Sequence, residues 1–296
     1  MSDVIVHIPF YYNEERLDYL YAQLGVYAQL NEIKAVFVYT NNLKLTQQLL
    51  TFQKVEVRIY PYRKNFFFHQ WKYLEKVHRH TEYFLFNFLR IRSFYLAMKL
   101  PWIKRFINPY YLTWEHRLVI PEHIHKSSFH FYNEDDILWS AETLRWITNR
   151  YKEVFDAGFH LSCLRIEIDV DDKTWYSDMV DVPENLININ GHDYALLKKP
   201  TYSASWLYTS GFLKQHLKSD EYLMRFSDYD LREKAGIGFH DTKMSYFKGV
   251  LVPIIKSGEK WKINPICHVH HLPNNYIRDP RFCNIKTHHE FSLISK

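Results

Sequence analysis

Three short apolar runs alternate with amphipathic stretches at the start of the chain. Residues 4–8, 35–39 and 55–60 are rich in β-branched and aromatic side chains, which is typical of buried strands. Residues 13–30 and 43–50 lie between them and have a helical pattern. Strands and helices in this order predict βαβ units. We therefore predict an α/β fold with a Rossmann-like N-terminal half and a mostly parallel central sheet flanked by helices.

The rest of the chain continues this alternation. The patterns predict helices over 140–155 and within 210–245, and strands over 129–132, 162–168, 194–197 and 206–208. Residues 84–107 are aromatic, but charges interrupt them, so they are not a transmembrane helix. They form either a core-facing helix or an amphipathic segment on a membrane surface. Since no linker is visible, we predict one compact unit with two halves, 1–140 and 141–296.

Composition changes this picture at one point, the binding of phosphates. The chain has 296 residues, 47% hydrophobic and 24% charged, and can therefore bury a core. It has only 8 glycines and no GxGxxG, GxxxxGKS or GxxxxGKT sequence, which argues against a glycine-rich phosphate loop. A bound nucleotide would need another phosphate partner, such as a divalent cation. The aromatic content of 18% suits a core, and it equally suits sugar rings, which pack on aromatic faces.

Charge and cysteine content limit the partners and the compartment. The net charge of +5 is modest and the basic residues are scattered. This fits a phosphate-bearing donor, an anionic acceptor or an anionic membrane surface, and it argues against nucleic acid. Cys163, Cys267 and Cys283 form no CxxC pair, as in a reducing compartment. The N-terminal residues do not resemble a signal peptide. We expect a cytoplasmic protein, with peripheral membrane contact as the alternative.

Polar residues accompany the ends of the first two predicted strands. His7 and Pro9 lie at the end of the first strand, Tyr12 follows it, and Asn41 follows the second strand. Ligands of parallel sheets lie beyond the carboxyl ends of the strands. We therefore assign these four residues to donor binding.

Three adjacent carboxylates, Glu134, Asp135 and Asp136, follow the predicted strand 129–132. They repel one another unless a cation or hydrogen-bond donors compensate them. Hard oxygen ligands suit Mn²⁺ or Mg²⁺. Such an ion would neutralise the diphosphate leaving group of a nucleotide sugar. A solvated surface loop is the alternative.

The βαβ units followed by a strand into Glu134-Asp135-Asp136 resemble the GT-A glycosyltransferases. Their DxD-like motif has this setting, and inverting N-acetylglucosaminyltransferases also spell it Glu-Asp-Asp. The resemblance covers the first half of the chain and reaches the second half only by pattern. It implies that residues 1–140 form the donor-binding half and residues 141–296 the acceptor-binding half with the C-terminal tail. It implies that Asp136 coordinates the metal directly, while Glu134 and Asp135 contact the metal's waters, the ribose or the sugar. Many members have an aspartate after the second or third strand, whereas residues 40–42 here are Thr-Asn-Asn, so the nucleotide is not indicated.

A histidine cluster, Cys-His-Val-His-His at residues 267–271, is a second candidate for the metal site. In an extended segment His268 and His270 share one face and His271 takes the other. Many GT-A enzymes complete their metal site with a C-terminal histidine, and the resemblance implies this role for His270 or His271. A zinc site that uses Cys267 is the alternative, although the spacing is poor for four soft ligands.

A catalytic base is the third requirement, because inverting transfer needs a carboxylate to take the proton of the acceptor hydroxyl. We prefer Glu233 and Asp241, which flank the Gly-Ile-Gly at 236–238, where the backbone can approach a ligand. A charge on a helix surface is the alternative for each. The other candidates are Asp228, Asp230 and Glu167.

Aromatic residues in the second half complete the prediction. Trp175, Tyr176 and Trp206 are assigned to acceptor binding, with core packing as the alternative. The resemblance and these residues together predict a divalent-metal-dependent glycosyltransferase that moves a sugar from a nucleotide-sugar donor to a polysaccharide, glycolipid or other glycan. We expect inverting transfer, and retaining transfer, which needs no such base, is the alternative. One alternative is a nucleotidyltransferase of similar sheet topology, although the first strand lacks the glycine-rich loop of that class. The other is a non-catalytic protein that binds carbohydrate or a membrane surface.

Overall fold

Three β-sheets and the helices packed on them organise the protein in this computed structural model, which describes residues 3–49, 51–59, 109–179, 181–199, 202, 204–223, 231–240, 246–279 and 281–295. Parallel and antiparallel strand pairs both occur, so the fold is mixed α/β. The predicted segment 84–107 lies outside the described residues. No helix in the described ranges is long and apolar enough to cross a membrane.

The elements follow the predicted order. The strands, numbered in chain order, are β1 (Val4–Phe10), β2 (Ile33–Thr40), β3 (Val55–Ile59), β4 (Phe129–Asn133), β5 (Ile137–Leu138), β6 (His160–Leu161), β7 (Leu164–Ile168), β8 (Thr174–Tyr176), β9 (Asn185–Ile189), β10 (His192–Leu197), β11 (Ser205–Thr209), β12 (Val250–Ser257), β13 (Lys260–Ile263), β14 (His268–His271), β15 (Ile285–Lys286) and β16 (Ile294–Ser295). The α-helices in the described ranges are Leu17–Ala28, Lys44–Gln48, Glu115–His123, Ala141–Asp156, Ser210–His216 and Leu231–Ile237. Every strand predicted from the sequence overlaps one of these strands.

The first sheet has the strand order β11-β4-β1-β2-β3. The strands β4, β1, β2 and β3 run parallel, and β11 pairs antiparallel with β4. Every residue of β1 is buried because the sheet is covered on both faces. Val6 and Ile8 belong to the main core together with the helix Leu17–Ala28. Ile5 on the opposite face packs in a smaller cluster with Val119, which explains the uninterrupted apolar pattern of this strand.

The other two sheets connect distant parts of the chain. The second has the order β13-β12-β10-β9-β16 and the third the order β15-β8-β7-β14-β5. Since β11 belongs to the first sheet, the predicted halves 1–140 and 141–296 share that sheet. The third sheet joins β5, which follows the acidic run, to β14 near the end of the chain. This pairing brings the acidic run and the histidine cluster together.

Gly238 lies where a side chain would strain the backbone and collide with the core. Its φ is +65°, and an added Cβ would lie 2.6 Å from the Tyr208 hydroxyl and 3.0 Å from the Trp206 ring. We expect Gly238→Ala to lower the free energy of unfolding by about 2–4 kcal/mol, from left-handed strain and overpacking together. Gly191→Ala is the matched control, because Gly191 has φ +82° and no atom within 4 Å of the added Cβ. This control should introduce only the left-handed strain, which lowers the free energy of unfolding by about 1 kcal/mol. Equal losses in urea denaturation would contradict the collision.

Candidate functional site

The acidic run lies between β4 and β5, at the carboxyl end of β4. Glu134 is 3% exposed and Asp135 and Asp136 are each 6% exposed. Asn133, the last residue of β4, donates its side-chain amide to side chains of the helix Leu17–Ala28 and holds the turn in place. The burial of all three carboxylates contradicts a solvated surface loop.

One cation of the chain compensates two of these carboxylates. Arg16 Nη2 donates to Asp135 Oδ1 at 2.8 Å and to Asp136 Oδ2 at 2.6 Å. Arg16 ends the 3-10 turn Glu14–Arg16, which follows β1. Because β1 and β4 are parallel neighbours, residues that follow one strand lie beside residues that follow the other. Arg16 was not predicted from the sequence, although the expected adjacency of the two strand ends was a signal that could have found it.

Strand β14 brings one of the predicted histidines to Asp136. The strand pairs antiparallel with β5, and the Leu272 amide donates to the Asp136 carbonyl at 2.9 Å. His271 Nε2 lies 3.7 Å from Asp136 Oδ2. His270 takes the other face, as strand alternation requires, and its Nε2 lies 3.0 Å from Asn274 Oδ1. Of the two histidines predicted as metal ligands, His271 is therefore the one beside the acidic run.

Glu167 of β7 contacts the other ring nitrogen of His271. Its Oε1 lies 2.5 Å from His271 Nδ1, and its Oε2 accepts hydrogen bonds from the backbone amides of Tyr276 and Ile277. Burial lowers the pKa of His271, but the carboxylates of Asp136 and Glu167 more than offset this and the pKa is raised. Asp136, His271 and Glu167 thus form one continuous row. Glu167 was a candidate base, but its side chain is fully buried and both its oxygens are engaged here.

The helix Leu231–Ile237 passes close to Glu134. The Tyr202 hydroxyl donates to Glu134 Oε1 at 2.8 Å. A Cβ added at Gly236 would lie 2.6 Å from that hydroxyl and 3.1 Å from the carboxylate oxygen. The missing side chain therefore lets the helix backbone approach the acidic run.

The preferred base residues fall on or beyond this helix. Glu233 is exposed and lies three residues before Gly236, on the same side of the helix. Glu233 is therefore within one helical turn of Gly236, the residue whose backbone approaches Glu134. Asp241, Asp228 and Asp230 lie outside the described residues.

The four residues assigned to donor binding separate into two pairs. Tyr12 and Asn41 meet at the carboxyl ends of β1 and β2, where the Tyr12 amide donates to Asn41 Oδ1 at 2.9 Å. Pro9 and His7 are buried inside β1. The two ring nitrogens of His7 lie 2.8 Å and 3.0 Å from side chains of β2 and β4. The imidazole is thereby engaged within the core, and the structure does not place it beside the acidic run.

The three aromatic residues assigned to acceptor binding differ in their exposure to solvent. Tyr176 and Trp206 are 1% and 2% exposed. The Tyr176 hydroxyl lies 3.0 Å from His268 Nε2, and Trp206 Nε1 donates to the Ala235 carbonyl. Both are core residues with no face for an acceptor, so the core-packing alternative describes them. Trp175 is half-buried and borders a pocket of about 300 Å³. The pocket is also lined by Val182, Asn284, Ile285, Lys286, His288 and His289.

These observations define a mixed α/β protein. It has a buried acidic run at the carboxyl end of one strand. No protein-family model matches the chain, and no curated protein matches it in sequence. One solved structure that aligns with it is a crystal structure of 4-diphosphocytidyl-2C-methyl-D-erythritol synthase, with a TM-score of 0.39 and 8% identity. The alignment covers 84% of this chain and 87% of that chain. At this TM-score and identity the similarity carries no functional argument.

Proposed function

We propose that the protein is a divalent-metal-dependent, inverting glycosyltransferase of the GT-A type, which moves a sugar from a nucleotide-sugar donor to a glycan acceptor. The observation that carries the proposal is the approach of His271 to Asp136, within the buried acidic run at the carboxyl end of β4. Carboxylate oxygens suit Mn²⁺ or Mg²⁺. When bound, the ion would shield the charge of the departing diphosphate. The chain has few glycines, which argues against a glycine-rich loop as the partner of the phosphates.

The donor set is compatible with such an ion. Two ligands at about 2.1 Å from one ion lie about 3 Å apart when adjacent and about 4 Å apart when opposite. Asp136 Oδ2 and His271 Nε2 are 3.7 Å apart, so a shift of under about 1 Å would bring the two atoms to adjacent positions on one ion. In the described part of the chain, no group of three or more His, Cys, Asp or Glu side chains could hold a metal ion. This is the usual situation for Mg²⁺, which takes one or two carboxylates and completes its shell with waters and substrate phosphates.

Donor binding is assigned to the residues around the acidic run. Glu134 is held by the Tyr202 hydroxyl and, with Asp135, would contact the ribose, the sugar or the waters of the ion. Tyr12 and Asn41 lie where strand ends of parallel sheets meet their ligands, and we assign them to the base or ribose. The ion would compete with Arg16 for Asp136 Oδ2, since Arg16 donates to that oxygen.

Acceptor binding is assigned to the third sheet. Trp175 pairs in register with Glu167 on one side and with Lys286 on the other, so the three side chains share one face. Strands are about 4.8 Å apart and β7 separates β8 from β14, which puts Trp175 about 10 Å from His271. The indole face suits a sugar ring. Glu233 is the described residue that we assign as base, while Asp241 stays a prediction.

The test is product release by the purified protein. Nucleotide sugars are incubated with Mn²⁺, with Mg²⁺ and with chelator, with and without glycan acceptors. Release of nucleoside diphosphate that requires the metal would support the proposal. Release of pyrophosphate from a nucleoside triphosphate would instead identify a nucleotidyltransferase. Binding of glycans or anionic vesicles with neither product would indicate a non-catalytic binding protein.

His270 and His271 of β14 provide a matched pair of variants. We expect His271→Ala to weaken Mn²⁺ binding at least about tenfold, because its Nε2 faces Asp136. His270→Ala should leave binding unchanged, because that ring contacts Asn274 on the other face of β14. Free Mn²⁺ measured by electron paramagnetic resonance gives both affinities, and circular dichroism checks the fold. Equal affinities would remove β14 from the proposed metal site.

A further inference from the structure

We infer that Glu167 is a positioning residue, which fixes the tautomer of His271 so that an unprotonated Nε2 faces Asp136 and the proposed ion. The inference rests on the proposed function for the presence of that ion. The geometry behind it is independent of any ligand, since it consists of contacts between side chains and backbone amides of the described chain. The role differs from that of a catalytic base, because Glu167 reaches the site only through His271.

The hydrogen bonds around Glu167 determine where the proton of His271 lies. Glu167 Oε2 accepts from the backbone amides of Tyr276 and Ile277 at 2.9 Å and 3.0 Å. A backbone N–H only donates, so this oxygen must be an acceptor. An ionised carboxylate is an acceptor at both oxygens, and Oε1 lies 2.5 Å from His271 Nδ1. Nδ1 therefore carries the proton, and the neutral ring has its lone pair on Nε2.

The ring is also held in orientation. Tyr276 stacks on His271 with centroids 4.9 Å apart and planes 14° apart. The same Tyr276 offers its amide to Glu167, so one residue holds both members of the pair. Glu167 itself is fully buried in β7, and β14 is paired with β5 and β7 on its two edges. His271 Nε2 is thus directed at Asp136 by a carboxylate on one ring edge and an aromatic ring on one face.

Carboxylates on the distal nitrogen of a metal-binding histidine generally raise the basicity of the ligand and fix its tautomer, and their loss costs about 10- to 100-fold in metal affinity. Glu167→Gln tests this role because it keeps the shape but has a single acceptor oxygen. The two backbone amides require that oxygen, which leaves the amide NH₂ facing His271 Nδ1. The ring must then accept at Nδ1 and carry its proton on Nε2, where it blocks cation binding.

Two measurements test the inference. Nitrogen NMR of ¹⁵N-histidine-labelled, metal-free protein at alkaline pH should show the His271 proton on Nδ1 in the wild type and on Nε2 in Glu167→Gln. Mn²⁺ affinity in the presence of a nucleoside diphosphate should fall about 10- to 100-fold in the variant. Glu153→Gln is the matched control, since Glu153 also accepts a side-chain hydrogen bond, from Tyr194, but lies on the helix Ala141–Asp156. It should change neither the tautomer nor the affinity.

The possible failures are distinguishable. A wild-type proton on Nε2 would overturn the inference even if Glu167→Gln does not fold. Equal Mn²⁺ affinities of the wild type and Glu167→Gln would also overturn it, while loss of affinity in Asp136→Asn would leave the proposed function standing. A wild-type protein that binds no Mn²⁺ with a nucleoside diphosphate would overturn both.

Discussion

Asp136→Ala is expected to lose sugar transfer by roughly 10²- to 10⁴-fold while the protein keeps its fold. Shielding of a developing charge by a metal ion contributes several kcal/mol to a transition state, and each 1.4 kcal/mol is a factor of ten in rate. Asp136 is the residue of the acidic run that faces His271, so its loss would remove the proposed ion. The measurement is metal-dependent release of nucleoside diphosphate, with the acceptor present and absent.

The fold should persist because the neighbouring contacts do not all pass through Asp136. Arg16 keeps its hydrogen bond to Asp135 Oδ1 at 2.8 Å, and the Leu272 amide bonds the backbone carbonyl of residue 136. We expect a loss of about 1–2 kcal/mol in the free energy of unfolding, as for one charge-assisted hydrogen bond. Asp156→Ala is the control, since Asp156 is an exposed carboxylate paired with Lys152. Full activity in Asp136→Ala would show that the metal assignment is wrong.

Local pattern was enough to predict the strands that form the first sheet. Residues 4–8 and 35–39 are apolar and β-branched, and only a buried strand accommodates such runs at this length. The hairpin of β9 and β10 also had a local signal, which was overlooked. Asn190 and Gly191 between the strands have φ of 50° and 82°, and Asn-Gly is the preferred sequence for such a two-residue turn.

Arg16 had a signal in the sequence, the expected adjacency of two strand ends, whereas the contacts of the histidine cluster depend on which distant strands pair. Arg16 meets Asp136 across the neighbouring strands β1 and β4. Glu167 meets His271 because β7 pairs with β14. Alternation predicts that His270 and His271 face opposite ways, but only the pairing with β5 selects which one faces Asp136.

Aromatic residues were the least predictable part of the site. A tryptophan or tyrosine packs equally well in a core or under a sugar, and composition contains no information on exposure. Trp206 and Trp175 illustrate this ambiguity. Trp206 is buried on β11, which pairs with β4, whereas Trp175 borders a pocket.

Acidification from about pH 7.5 to about pH 5 is expected to destabilise the protein by several kcal/mol, because its core contains neutral histidines. Burial lowers the pKa of His7, His116 and His160 well below the ordinary value, and it lowers the pKa of His130 to about 3. His7 and His130 share a hydrogen bond of 3.0 Å inside the first sheet. Protonation of either ring would put a charge in an apolar layer, where charges are costly.

The sign follows from the unfolded chain, in which each histidine has a pKa of about 6.5. Below that pH the unfolded state takes up protons that the folded state does not. The free energy of unfolding therefore falls, by about 1.4 kcal/mol per pH unit for each such histidine. For His130 the loss at pH 5 is about 2 kcal/mol, and it grows until the pH nears the folded pKa of about 3. His271 acts in the opposite direction, because its pKa is raised and its contribution is lost as the pH increases.

Urea denaturation between pH 8 and pH 5 measures this dependence, and His130→Gln isolates one group. The variant breaks the hydrogen bond to His7 and is therefore less stable at every pH. Its free energy of unfolding should depend less steeply on pH than that of the wild type, by one proton, or about 1.4 kcal/mol per pH unit. The exposed His125 provides the control, since His125→Gln removes an imidazole that is not enclosed by the core. An unchanged pH slope in His130→Gln would mean that His130 gains its proton equally in both states. His130 would then not contribute to the acid instability.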